Sequence, residues 1–133
     1  MTLELFVNGT LMRGLALHEN LDGAVFLGEF HTLPIYRLYS IDNIHPGMFQ
    51  VEAGGISVTG EMYRMSDEIF QRVKNNEPAG LYVGDVYLDN GQKNMELRTK
   101  VKGILFPREL AETKYKDISE FADWRTYMNS LVQ

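Results

Sequence analysis

The 133-residue sequence contains no cysteine. That removes disulfides, thiolate nucleophiles and zinc–thiolate sites together, and it fits a reducing compartment. Histidine is scarce. His18, His31 and His45 show no His-x-x-x-His spacing and read as surface or strand-edge residues rather than metal ligands. No apolar run approaches the ~20 residues that cross a bilayer. Met1-Thr2-Leu3-Glu4 lacks the basic and apolar regions of a signal peptide. Positive charge is in deficit: 13 Lys and Arg against 18 Asp and Glu leave a net charge of −5, and no basic face for nucleic acid is visible. No Gly-x-Ser-x-Gly elbow marks a serine hydrolase. These absences lead to the expectation of a cytoplasmic protein that takes a small-molecule ligand, with no nucleic-acid or membrane partner.

The composition is that of an ordinary globular chain, 44% apolar and 23% charged. Its length favours one domain, residues 1–133, able to bury roughly two thirds of its unfolded surface. No repeat, low-complexity tract or linker interrupts it. Strands are expected at Leu3–Val7, Ala24–Phe30, Pro34–Tyr39, Met48–Val51, Ile56–Tyr63 and Leu81–Leu88. A return strand from Met95 to Phe106 should follow an Asp89-Asn90-Gly91 turn. A helical turn is expected at Leu15–Leu21, and turns at His45-Pro46-Gly47 and Ala53-Gly54-Gly55. Ser66 has the chemistry of a helix N-cap, with Asp67 and Glu68 in the first turn and Pro78 ending the helix after Glu77. Arg108 to Lys116 reads as a polar connection with room for one helical turn. Asp117, with Glu120 three residues on, reads as the cap of a final helix carrying Ile118, Phe121, Trp124, Tyr127 and Met128 on its apolar stripe. Strands come in runs instead of alternating with helices. The expected class is therefore α+β, a mainly antiparallel sheet or small β-barrel of six to seven strands with two to three helices. An edge strand, seven tyrosines and seven methionines could support a homodimer.

The first strand runs directly into Gly9-Thr10-Leu11-Met12-Arg13-Gly14. Glycines let backbone N–H groups approach a ligand closely, so this loop is a candidate cradle. It has the glycine spacing of a phosphate loop but continues with Leu15-Ala16 instead of Lys-Ser/Thr. Among the carboxylates, Glu61 lies in a strand whose face, with Thr59 and Tyr63, is partly polar. Glu77 sits at a helix-to-strand junction stiffened by Pro78, with Tyr82 five residues on. By spacing alone Glu77 is one loop acid among many.

The run Phe6-Val7-Asn8-Gly9-Thr10-Leu11-Met12-Arg13-Gly14 resembles the opening motif of the γ-glutamylcyclotransferase-like (AIG2-like) proteins, with Asn8 where that family usually has tyrosine. Gly28-Glu29-Phe30, Pro46-Gly47 and Val58-Thr59-Gly60-Glu61-Met62-Tyr63 follow in the same order. Glu77, before Tyr82, falls where the family's catalytic glutamate stands. The C-terminal half also resembles the C-terminal domain of allophanate hydrolase, in Tyr36-Arg37-Leu38-Tyr39, Val51-Glu52-Ala53-Gly54-Gly55, Val101-Lys102-Gly103-Ile104-Leu105 and Asp117-Ile118-Ser119-Glu120-Phe121 with Trp124, Arg125 and Tyr127. Those domains carry a histidine where this chain has Leu11, and they generally lack an acid at the position of Glu77.

The resemblance implies a γ-glutamylcyclotransferase-like fold and a cyclisation. The α-amine of a γ-glutamyl compound attacks its own γ-carbonyl, releasing 5-oxoproline and an amine. The nucleophile belongs to the substrate, so no cofactor or metal is required. Glu77 would be the catalytic acid–base, its carboxyl tuned by a partly apolar pocket. Asn8, Gly9, Thr10, Leu11 and Met12, with Tyr82, would bind substrate, and loop N–H groups would hold the oxyanion. Two alternatives remain open at this stage. One is a stand-alone relative of the allophanate hydrolase domain acting on a small carboxylated urea derivative. The other is a non-catalytic small-molecule-binding domain, since a fold does not fix a function.

Overall fold

Leu5, Phe6 and Val7 are consecutive and each at most 1% exposed. Side chains alternate along a strand, so three buried neighbours mean that both faces of β1 (Thr2–Val7) are covered. The computed structural model describes residues 2–89 and 99–132, and β1 is the middle strand of its larger sheet. In that sheet β2 (Val25–His31) is followed by β5 (Thr59–Ser66), β1, β7 (Thr99–Leu105) and β6 (Tyr82–Leu88). The β1–β7 ladder is parallel and the other three are antiparallel. A second sheet holds β4 (His45–Gln50), β3 (Tyr36–Ile41) and the short β8 (Lys116–Asp117). The expected turn residues Asn90 and Gly91, and the first residues of the return strand, Met95 to Arg98, lie outside the described residues.

No closed barrel is found among the described residues. The chain between Tyr36 and Gln50 pairs with itself and with β8, so it cannot bridge the edges of the larger sheet. Those edges do approach one another at one end. The Leu33 N–H donates to the Tyr87 carbonyl at 2.9 Å, and the Asp89 N–H donates to the His31 carbonyl at 2.8 Å. The β2–β5 register shifts between Phe26 and Gly28, a bulge at the glycine inside the strand.

Three α-helices complete the fold: α1 (Asp67–Asn75), α2 (Arg108–Lys114) and α3 (Trp124–Ser130). Helix α1 starts where the sequence signals, with Ser66 Oγ accepting from the Ile69 N–H at 3.3 Å and Val73 fully buried. None of the helices is long and apolar enough to cross a membrane.

Three expectations need correction. His45-Pro46-Gly47 is strand, not turn. Pro46 is tolerated because β4 is an edge strand, and the hairpin reverses at Asp42 and Asn43, both with φ near +60°. The polar connection after Phe106 holds more helix than the single turn allowed for, with α2 spanning seven residues. Asp117 does not cap the last helix. It belongs to β8, where it pairs with Arg37 at 2.6 Å and accepts from the Ser119 N–H at 2.9 Å. Ala122 then turns left-handed, its carbonyl accepting from the Thr59 N–H, and Asp123 caps α3 through the Arg125 N–H at 3.0 Å.

Helix α1 delivers the chain to Glu77, so its cap can be tested by itself. Replacing Ser66 by alanine is expected to cost about 1 kcal/mol, read as a lower urea midpoint with an unchanged slope. A midpoint equal to wild type would show that the cap carries no stability.

Candidate functional site

The opening loop leaves β1 beside β5, where Val7 is paired with Glu61. Four contacts hold its path. The Met12 N–H donates to the Gly9 carbonyl at 3.0 Å, closing a turn, and the Leu17 N–H donates to the Thr10 carbonyl at 2.9 Å. His18 Nδ1 donates to the Leu11 carbonyl at 2.9 Å. Gly9 lies flat on the ring of Pro46, where a Cβ would sit 2.5 Å from the proline Cδ. No larger residue fits there without moving the loop.

Glu61 fastens the far end of the loop. Its side chain is fully buried. Oε1 accepts from the Arg13 backbone N–H and from the Tyr63 hydroxyl, each at 2.9 Å, and Oε2 accepts from Arg13 Nε at 3.2 Å. The Arg125 guanidinium of α3 stands 3.6 Å from Oε2 and donates to the Arg13 carbonyl at 2.7 Å. Burial by itself would raise the Glu61 pKa, but these donors outweigh it and hold the carboxyl below its ordinary value. The partly polar strand face expected around Glu61 is thus an internal anchor. The Arg13 guanidinium also lies over the Phe26 ring, 4.0 Å from its centre.

Glu77 arrives from the other side. Gly80, three residues on, has φ of +93°, and a Cβ there would meet Phe106 at 2.9 Å. The Phe106 ring also packs on Gly47, where a Cβ would be 2.9 Å away, and its backbone N–H donates to the Met48 carbonyl. One buried ring at the end of β7 therefore sets both the Glu77 turn and β4.

These pieces enclose a pocket of about 310 Å³. Asn8, Gly9, Thr10 and Leu11 form one wall, His45 and Pro46 of β4 a second, and Glu77 with Leu81 and Ile104 a third. The pocket is narrow. Glu77 is half-buried, and its Oε1 is inaccessible with no hydrogen-bond partner. Burial pushes the Glu77 carboxyl up to about 7. A carboxyl titrating near neutrality, in a mostly apolar pocket shared with the Asn8–Leu11 loop, can both take and give a proton.

Residues far apart in sequence, Asn8 to Leu11 and Glu77, thus share one pocket. Two other candidates lie off its lining. Met12 is 1% exposed, in the core. Tyr82 is 49% exposed and lines an adjoining hollow of about 280 Å³ with Lys74 and Val83, which shares Glu77, Leu81 and Ile104 with the pocket. Asn8 is buried, with Nδ2 directed at Met48 Sδ at 3.6 Å. His45, expected to be an unremarkable surface or strand-edge residue, is 5% exposed and lines the pocket. The only local signal for it was the neighbouring Pro46-Gly47.

The profile of the family described as the allophanate hydrolase C-terminal domain matches residues 3–129. A uropathogenic E. coli-specific protein of known crystal structure is 37% identical and superposes with a TM-score of 0.87, over 97% of each chain. Kluyveromyces lactis allophanate hydrolase is 25% identical with a TM-score of 0.84, over 98% of this chain but 22% of that larger one. A Vibrio cholerae protein provisionally named a gamma-glutamylcyclotransferase is 39% identical over 62 residues, 47% of this chain and half of that protein's length.

The unpartnered carboxyl of Glu77 has a consequence for stability. Its folded pKa of about 7 lies above the ordinary 4.5. The folded state therefore holds more protons between those values, and stability falls as pH rises through that window. Glu77→Gln should remove this loss. The variant is expected to gain about 1–3 kcal/mol over wild type at pH 8 relative to the same comparison at pH 4.5, measured by urea unfolding. An identical difference at both pH values would show that the carboxyl ionises freely.

Proposed function

The chain belongs to the allophanate hydrolase C-terminal domain family, and on that premise we propose that it is a γ-glutamylcyclotransferase-like enzyme releasing 5-oxoproline from a γ-glutamyl amine or peptide. The observation that carries this reading is the buried, unpartnered Oε1 of Glu77 beside the Asn8–Leu11 loop. Folded proteins seldom leave a buried carboxylate oxygen without a partner, and the exceptions concentrate at working sites. The name of the Vibrio cholerae relative supports the same direction. So does Leu11, which stands where the allophanate domains resembled carry a histidine.

In this reading Glu77 takes a proton from the substrate's α-ammonium. The amine nitrogen attacks the γ-carbonyl carbon, and the carbonyl electron pair moves to oxygen. The turn already engages the Met12 N–H, so the oxyanion falls to Gly9, Thr10 and Leu11. Collapse expels the leaving nitrogen, which takes its first proton from Glu77, and the surplus proton on the new ring nitrogen then passes through Glu77 to the released amine, which departs as an ammonium. The attack is intramolecular, so the pocket's main contribution is to hold the chain bent. The leaving group would extend into the hollow beside Lys74 and Tyr82.

The narrowness of the pocket favours a second reading, in which a small, flat carboxylated urea derivative is the ligand and the chain works as the allophanate hydrolase domain does. Co-incubation with an amidase and allophanate decides it: an ammonia yield that depends on this protein supports this reading, and a yield indifferent to it removes it.

The first reading is tested by 5-oxoproline release across a panel of γ-glutamyl amines and peptides. Wild type is expected to turn over at least one of them, and Glu77→Gln to lose about 10²–10⁴-fold in kcat. A fully active Glu77→Gln enzyme would take Glu77 out of the mechanism.

A further inference from the structure

The pocket contains a second titratable side chain that the mechanism above leaves idle. His45 opens β4, is 5% exposed, and faces the same space as Glu77 and the loop. Its Nδ1 is 3.0 Å from the Pro46 carbonyl oxygen. A carbonyl can only accept, so Nδ1 carries the proton and the neutral ring presents Nε2 with a free lone pair. Among the described residues Nε2 has no hydrogen-bond partner. A ring whose Nδ1–H is fixed by a backbone carbonyl is a ring with its tautomer set and its basic nitrogen aimed.

We propose that His45 is the proton acceptor of this pocket and Glu77 its proton donor, so that the site works with two groups instead of one. The proposal rests on the cyclisation reading given above. His45 Nε2 takes a proton from the substrate's α-ammonium. The freed amine nitrogen bonds to the γ-carbonyl carbon, and the π pair moves to oxygen. The pair then returns, the bond to the leaving nitrogen breaks, and the Glu77 carboxyl supplies that nitrogen's proton. The ring nitrogen gives its remaining extra proton back to Glu77. The imidazolium of His45 then protonates the released amine, and both groups are restored.

The surroundings keep other charges from the pair. Of the residues lining the pocket, His45 and Glu77 are the two with titratable side chains. On the elements packed against β4, Arg108 pairs with Glu112 and Glu52, Arg37 with Asp117, and Lys102 with Asp85, while Lys100 of β7 and Glu109 and Lys114 of α2 are exposed. Tyr39 of β3 packs against Phe49, and Tyr115 against Phe106.

The test uses the full chain and two independent readouts. Side-chain ¹⁵N spectra report the tautomer and titration of each histidine. The expected result is His45 in the Nδ1–H form, with a titration that moves to lower pH in E77Q. An Nε2–H tautomer, or a titration indifferent to E77Q, overturns the proposal. In turnover, H45N is the informative variant, because asparagine keeps a donor close to the place of Nδ1 while removing Nε2. Its kcat should fall about 10²–10⁴-fold with KM little changed, and the acid limb of the pH–kcat profile should disappear. H45A should recover part of its rate in imidazole. Wild-type kcat in H45N overturns the proposal. If wild type releases no 5-oxoproline from any compound, the cyclisation reading fails by itself, and the spectra alone decide whether His45 and Glu77 are coupled.

Discussion

The ion-pair network around Glu61 is the constraint on which the rest of the site depends. A fully buried carboxylate is costly unless donors surround it. Here the donors come from three parts of the chain: the Arg13 backbone and side chain, the Tyr63 hydroxyl, and Arg125 of α3. Each donor removed would weaken the compensation of that charge, which favours one relative arrangement of the three segments. That arrangement sets where the loop from Asn8 to Gly14 ends. It also brings α3, at the far end of the chain, against the start of the fold.

The same domain holds a second carboxylate under the opposite conditions. Glu61 has a donor for each oxygen and is held ionised. Glu77 is buried enough to be pushed up to about 7 and has an oxygen with nothing to bond to. The difference is one of environment, not of residue type. The turn that carries Glu77 is fixed by Gly80 and Phe106, which holds its backbone at the edge of the pocket. Natural folds violate the rule of polar satisfaction at few places, and those places are where chemistry is done.

Local signals were legible where they were self-contained. Helix α1 has its cap, its acidic first turn and its proline stop within one stretch, and it formed as read. The central strands followed from alternation and β-rich composition. The errors share a cause. Pro46-Gly47 looks like a turn by composition, but as an edge strand β4 needs no donor from Pro46, and Asp42 and Asn43 had already reversed the chain. Asp117 followed by Glu120 looks like a capping box, yet Arg37, distant in sequence, claims the Asp117 carboxylate for β8. The division into two sheets could not be read because strand pairing partners are not written in strand composition. In each case a tertiary contact outbid a local preference.

The sequence by itself determined the α+β class, most strands, the first helix, the loop after β1, and the family. It also contained Glu77, though only the resemblance singled it out. Tertiary structure alone decided that the Asn8–Leu11 loop and Glu77 share a pocket, that Met12 faces the core, and that Tyr82 lies in the adjoining hollow. It also turned Glu61 from a polar strand residue into an anchor and placed His45 in the lining of the same pocket. The physical reason is that hydrophobic periodicity, caps and glycine turns act over a few residues. The burial of a carboxyl, and which groups stand opposite it, depends instead on how distant segments are stacked, here by Phe106 against Gly47 and Gly80 and by Glu61 against Arg13 and Arg125.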